Sequence, residues 1–434
     1  MQIKEQTFYK ILPNGVKIVL RQTDSAVAYV GIMVGAGTRH ETADINGIAH
    51  YIEHCVFKGT AKCTARQIIN QIEGIGGEIN AYTTKEETTF YAATPVEHLK
   101  HTFRLIADMV LHPTFPKKET DKELGVILDE IESYNDSPSE LIYDDFEALV
   151  FEGESLALPI LGTRKSLRRI SKSPDVAKRW MSEQYHPERM VVFVQGRATM
   201  DSIEKLVREE LGEEEKTNSG ESDPRTTHGR PTVDPRVDIE ADGKVDLLPK
   251  RTNRSVSYKK HTHQTHVMLG GRAYPLGHEK QLTMYLLNNI LGGGSLNSRL
   301  NLSLREKRGL VYTVESNYTP LSDTGYWCVY FACEPQNKEL CLSLVMEELR
   351  RLREQPLSDA QLRKALLQLR GQMAISAENQ ENNALSMAKQ MLYYGEAPSW
   401  QETYEKIASI TKEQLQACAM ELLQESSISI LSYE

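Results

Sequence analysis

Gly47-Ile48-Ala49-His50-Tyr51-Ile52-Glu53-His54-Cys55-Val56-Phe57-Lys58-Gly59-Thr60 is the stretch on which the reading of this chain turns. Asn46-Gly47-Ile48 offers a helix start, Gly59 a stop, and the apolar residues between them recur at helical spacing. At about 100° per residue, His54 lies about 40° from His50 and Glu53 about 60° to the other side, so all three share one face. Two imidazoles four residues apart can hold a zinc ion. A carboxylate beside the second can take a proton from a metal-activated water. The order is H-x-x-E-H, the reverse of the commoner H-E-x-x-H.

Catalytic zinc takes three protein donors, so two histidines are one short. The run 118–134, KETDKELGVILDEIESY, predicts a helix with Leu124, Ile127, Leu128 and Ile131 as its apolar stripe. Glu123 and Glu130 are seven residues apart and nearly superpose on one face. One could ligate the metal while the other accepts a hydrogen bond from the far nitrogen of a ligand histidine, fixing its tautomer. The alternative is a solvated acidic face shared with Asp129 and Glu132.

Together these residues resemble the pitrilysin/insulysin family of zinc metallopeptidases, the inverzincins. The likeness is strongest to the two-domain branch that includes mitochondrial processing peptidase and bacterial relatives. In that family H-x-x-E-H is followed 76 residues later by a ligating glutamate inside an E-x6-E helix, and Glu130 stands 76 residues after His54. The resemblance implies His50, His54 and Glu130 as ligands of one zinc ion, Glu53 as general base, and Glu123 as the residue that orients a ligand. Cys55 stands where a methionine is common, a soft apolar exchange. The imidazole and carboxylate set also admits manganese or cobalt.

Further site residues follow from the same likeness. Asn80-Ala81-Tyr82-Thr83-Thr84 opens a strand after the turn Gly74-Ile75-Gly76-Gly77, by itself an ordinary sheet strand. The family places it at a sheet edge, where Asn80 and Ala81 bind substrate backbone by β-augmentation, with Phe57 lining the pocket past the scissile bond. Arg305 and Tyr312, in LREKRGLVY (304–312), match the family's Arg–Tyr signature and are implied to hold the oxyanion. Gly309 predicts a helix end, so Tyr312 is expected on the following strand rather than beneath Arg305.

Composition sets the bounds. A chain of 434 residues exceeds one core and predicts at least two domains. A net charge of −9, without a concentrated Lys/Arg face, argues against nucleic-acid binding. KSLRR (165–169) reads as a solvated helix edge. No stretch is apolar enough for a membrane span, and the start has no signal core. Six cysteines, at 55, 63, 328, 333, 341 and 418, form no C-x-x-C pair and predict reduced thiols in a cytoplasmic protein.

The charged, Pro/Gly/Ser-rich stretch from 213 to 250 marks the boundary. The expected domains are an N-terminal catalytic one over 1–215, a polar linker over 216–250, and a C-terminal one over 251–434 carrying Arg305 and Tyr312. Strands are expected at 15–20, 28–34, 78–93, 190–194, 265–270, 311–318, 326–332 and 428–432. Helical patterns occupy 97–112, 117–150, 174–185, 279–291, 337–355, 359–394 and 411–424. Both halves therefore read as α+β with similar order, a diverged duplication. The family implies two homologous domains, each a mainly antiparallel sheet packed with helices, facing each other across a cavity.

Two patterns are decoys. Gly292-Gly293-Gly294-Ser295 lacks the Gly-Lys-Ser/Thr of a phosphate loop and predicts a turn between helices. His261, His263 and His266 cannot converge from one strand and predict a surface strand. The expected function is zinc-dependent endopeptidase action on peptides or unfolded precursor segments. The expected assembly is a homodimer, or a heterodimer with an inactive homologue. A non-catalytic partner subunit of the same fold is the alternative, disfavoured by the retained site residues. A zinc hydrolase of small amides is a third reading.

Overall fold

The computed structural model describes residues 6–212, 253–260, 262–396 and 400–434. The first half runs β1 (Gln6–Ile11), β2 (Lys17–Gln22), β3 (Val27–Val34), α1 (Ile48–Val56), α2 (Ala65–Glu73), β4 (Glu78–Thr83) and β5 (Thr88–Pro95). It continues with α3 (Leu99–Leu111), α4 (Lys117–Asn135), α5 (Pro138–Val150), α6 (Arg164–Ser171), α7 (Pro174–Gln184), β6 (Met190–Gly196) and α8 (Met200–Leu211). The second half runs β7 (Ser255–Tyr258), β8 (Thr265–Arg272), α9 (Gln281–Gly292), β9 (Val311–Pro320) and β10 (Gly325–Cys333). Then follow α10 (Lys338–Glu354), α11 (Asp359–Ala377), α12 (Gln380–Tyr394), α13 (Trp400–Ala408), α14 (Lys412–Leu422) and β11 (Ser429–Tyr433).

Each half builds one sheet, and the two sheets repeat one topology. The first has the order β1-β2-β6-β3-β5-β4 and the second β7-β11-β8-β10-β9. In the first, β2 lies parallel to β6 and the other neighbours are antiparallel. In the second, β7 lies parallel to β11 and the rest are antiparallel. Strands β2 to β6 thus correspond in order and sense to β7 to β11, with β1 as an added edge. The fold is α+β in two related domains, as the pattern of the sequence implied. Strands β6 and β10 are buried at every position, because helices cover both faces of their sheets.

Two of the long helical patterns divide. The 117–150 pattern breaks where Ser137 precedes Pro138, since proline at the first helical position starts α5 and disfavours helix in the residue before it. The 359–394 pattern breaks at Asn379, whose side-chain oxygen accepts from the Asn382 amide at 2.9 Å and caps α12. Strand β8 lies between β11 and β10, so it is an interior strand and not the expected surface one. Gly292 to Ser295 closes α9 as the expected turn. All six cysteines are free thiols. Among the described residues no helix is long and apolar enough to cross a membrane.

The helices that follow these breaks leave their own half of the chain. The structure divides into two units, with residues 129–157 joining the second and 377–397 the first, so the units are not the contiguous stretches 1–215 and 251–434. The expected linker 216–250 lies outside the described residues. In the first unit Met387, Ala388, Met391 and Leu392 of α12 pack on Val19, Met33, Val191 and Phe193. In the second, Ile142, Phe146 and Val150 of α5 pack on Met268, Cys328 and Leu431.

Tyrosine–carboxylate hydrogen bonds pin both helices. Tyr393 Oη and Lys389 Nζ donate to the buried Glu87 at 2.5 and 2.8 Å, and Tyr91 Oη donates to Glu381 at 2.5 Å. On α5, Glu147 accepts from Tyr326 Oη at 2.5 Å and Asp145 from Tyr433 Oη at 2.7 Å. Each unit is therefore completed by a helix from the other half of the sequence. Produced alone, residues 1–212 should lack a cooperative melt, having lost the burial of Met387, Met391 and Leu392 at about 1.5–3 kcal/mol each. Co-expression with 253–434 should restore it. A lone first half melting at the intact chain's Tm would contradict this exchange.

Candidate metal centre

Helix α1 presents the H-x-x-E-H face, and its start is fixed by backbone geometry. Gly47 precedes it at φ 88°, a conformation that disfavours a side chain, and an added Cβ would meet Gly162 Cα at 2.7 Å. The buried Glu41 caps this end. Its carboxylate accepts from the Gly47 amide at 2.6 Å, the Ala49 amide at 2.9 Å and Asn46 Nδ2 at 2.9 Å. Burial pushes the Glu41 carboxyl up to about 7, against the pull of those three donors. Ile48, Ala49, Ile52, Cys55 and Val56 are buried, which fixes the rotation of α1.

One donor atom from each of His50, His54 and Glu130 lies within 4.8 Å of the others. The two imidazole centroids are 4.6 Å apart, edge to face. Glu123 Oε1 accepts from His54 Nδ1 at 2.8 Å, and Lys58 Nζ reaches Glu123 Oε2 at 2.7 Å. A proton on Nδ1 places the lone pair of His54 on Nε2. Burial, then the neighbouring His54, lower the His50 pKa to about 3, so this imidazole stays neutral. Sequence spacing left open which glutamate joins the histidines. The structure groups Glu130 with them and sets Glu123 behind His54.

This donor set fits zinc. Two neutral imidazoles and a carboxylate form a common three-donor arrangement for a catalytic ion, which keeps a fourth position for water. Tetrahedral bonds of about 2.0–2.2 Å require donors about 3.4 Å apart, inside the span that the three side chains cover.

Glu53, on the same helix face, accepts from Thr83 Oγ1 at 2.6 Å. Thr83 ends β4, the outer strand of the first sheet, which among the described residues pairs only with β5. Asn80 and Ala81 lie on that edge strand, Asn80 exposed and Ala81 half-buried. Phe57 is half-buried at the C-cap of α1. In the second unit, Arg305 sits in a π-helical turn and Tyr312 follows on β9, as Gly309 at φ 62° permits. The two nonetheless meet, with the guanidinium carbon 5.5 Å from the Tyr312 ring centroid, and Tyr312 is 80% exposed. His266 contacts Tyr330 Oη at 2.9 Å, His263 is exposed on a bend, and His261 is outside the described residues.

Comparison with known proteins places the chain in a family. The family described as Insulinase (Peptidase family M16) matches residues 17–164, and Peptidase M16 inactive domain matches 172–369. An uncharacterized zinc protease, YmxG of Bacillus subtilis (strain 168), is 32% identical over 416 residues, covering 95% of this chain and 94% of the relative.

The chain belongs to peptidase family M16.

Another M16 relative, an uncharacterized zinc protease of Mycobacterium leprae (strain TN), is 32% identical over 413 residues, covering 95% of this chain and 88% of its own. Among solved structures, a protease from Helicobacter pylori superposes with TM-score 0.85 at 19% identity over 99% of this chain and 100% of that one. A peptidase M16 inactive domain from Pseudomonas fluorescens superposes with TM-score 0.82 at 19% identity, covering 98% of each chain. These two likenesses carry the M16 fold.

Glu41, Lys58 and Thr83 escaped the sequence reading. Glu41 lies outside the helix it caps, Lys58 follows the last helical turn, and Thr83 carries a common strand residue type. The M16 centre should bind one zinc ion per chain by elemental analysis. His50→Ala, His54→Ala and Glu130→Gln should each abolish binding, whereas Glu123→Gln should weaken it about 10–100-fold. Full zinc content in H50A or E130Q would contradict the grouping.

Proposed function

We propose that this M16 chain is a zinc-dependent endopeptidase acting on peptides or unfolded precursor segments. The observation that carries the reading is the His50, His54 and Glu130 donor group with Glu53 held on the same helix face. A zinc ion in that group supplies Lewis-acid polarisation of a carbonyl and acidifies a bound water. Glu53 takes the proton of the attacking water and returns it to the leaving amine. Glu123 keeps His54 in the tautomer that offers Nε2.

The remaining roles rest on family likeness together with local structure. The open edge of β4 suits an extended chain, which would add as a strand beside Asn80 and Ala81. Main-chain pairing of that kind gives affinity with little side-chain selectivity. Phe57 is assigned to the pocket past the scissile bond, and Arg305 with Tyr312 to the developing oxyanion. The same likeness supports pairing of two copies. The alternative of a non-catalytic partner finds no support in a chain that keeps His50, His54, Glu123, Glu130 and Glu53.

Glu53→Gln tests the reading directly. It preserves size and hydrogen bonding to Thr83 but removes the proton acceptor. The variant should retain zinc while hydrolysis of a quenched peptide falls about 10²–10⁴-fold. A fully active, zinc-loaded E53Q protein would defeat the mechanism.

A further inference from the structure

Thr83 is the last residue of β4 and reaches from that strand to the helix that carries the metal donors. Its hydroxyl oxygen lies 2.6 Å from Glu53 Oε2. An ionised carboxylate only accepts, so Thr83 supplies the proton of this bond and spends its single hydrogen on it. Its other neighbour is Thr88 Oγ1, at 3.5 Å. Thr88 Oγ1 itself donates to the Ala36 carbonyl at 2.8 Å, so it does not compete for Glu53. Donor and acceptor directions along this row are therefore fixed.

The carrier of Thr83 is held on several sides. Immediately after it, Thr84 Oγ1 accepts from the Glu86 and Glu87 amides at 3.2 and 3.1 Å, and the Thr84 amide donates to the Glu87 carbonyl at 2.8 Å. The Thr38 and Arg39 amides donate to the Thr84 and Lys85 carbonyls at 3.2 and 2.8 Å. A Cβ at Gly37 would stand 2.4 Å from the Thr84 carbonyl oxygen, so only glycine lets the two segments approach this closely. Lys85 Nζ donates to the Leu158 carbonyl at 2.7 Å, and Glu87 is clasped by Lys389 and Tyr393 of α12. A hydroxyl on such a turn has little freedom to move. That is the condition under which one hydrogen bond can set the rotamer of a catalytic side chain.

We infer that Thr83 is a positioning residue for Glu53, aiming its carboxylate at the attacking water. The inference deepens the endopeptidase reading and rests on it for the identity of Glu53 as proton acceptor. It also ties two functions to one strand. β4 offers its edge at Asn80 and Ala81 and, at its end, orients the base.

Thr83→Val keeps the shape and removes the donor, and Thr83→Ser keeps the donor. The full-length zinc-loaded protein and both variants are compared for zinc content, for the Glu53 conformation in crystals, and for kcat and KM on a quenched peptide. T83V should bind zinc as the parent does and show Glu53 turned away or in several conformers. Its kcat should fall about 10–100-fold with KM unchanged. T83S should restore both the conformer and kcat. Glu53 in its parental place in T83V, or an unchanged kcat, would overturn the inference. A parent that carries zinc but cleaves nothing would sink the endopeptidase reading instead, while the Glu53 conformer would still decide whether Thr83 positions it.

Discussion

The bond from His54 Nδ1 to Glu123 Oε1, at 2.8 Å, fixes α1 against α4, and the rest of the centre follows from that register. Helix α1 alone offers two imidazoles and cannot complete a three-donor set. Helix α4 brings two carboxylates seven residues apart, one to orient a histidine and one to stand beside the pair. Lys58 answers the second oxygen of Glu123 at 2.7 Å, so this buried carboxylate has a hydrogen-bond donor on one oxygen and a cation on the other. Shift α4 by one residue and both glutamates leave the face.

Around this pair the chain repeats one sheet topology twice and then exchanges a helix between the repeats. The exchange has a chemical signature. Both α5 and α12 carry apolar residues against a sheet and are pinned by tyrosine hydroxyls on buried or half-buried carboxylates. The α12 pin at Glu87 lies in the hairpin turn that follows Thr83. The second half of the sequence thus contributes to the rigidity of the first unit, although it carries no H-x-x-E-H of its own.

Much of this was legible from residues alone, because its signals are periodic or spaced. The α1 limits follow from Gly47 and Gly59, the α4 face from Glu123 and Glu130, and the central strands from unbroken runs such as MVVFV at 190–194. Other features left no such trace. Strand β1 is exposed at nearly every position and among the described residues pairs only with β2, so its sequence shows no alternation. Helices α2, α6, α8 and α13 are short and polar, and four-residue β7 lies outside the expected strands. The exchange was invisible because an apolar helix face does not say which sheet it covers. Thr83 was read as a strand residue, since its partner Glu53 is thirty positions away and no local pattern joins them.

Anomalous X-ray diffraction at the zinc edge, on crystals grown with stoichiometric zinc, tests the central claim most directly. The account predicts one peak per chain, about 2.0–2.2 Å from a nitrogen of His50, a nitrogen of His54 and an oxygen of Glu130. A peak bound elsewhere on the chain, or a zinc ion held by the two histidines with Glu130 turned away, would contradict it.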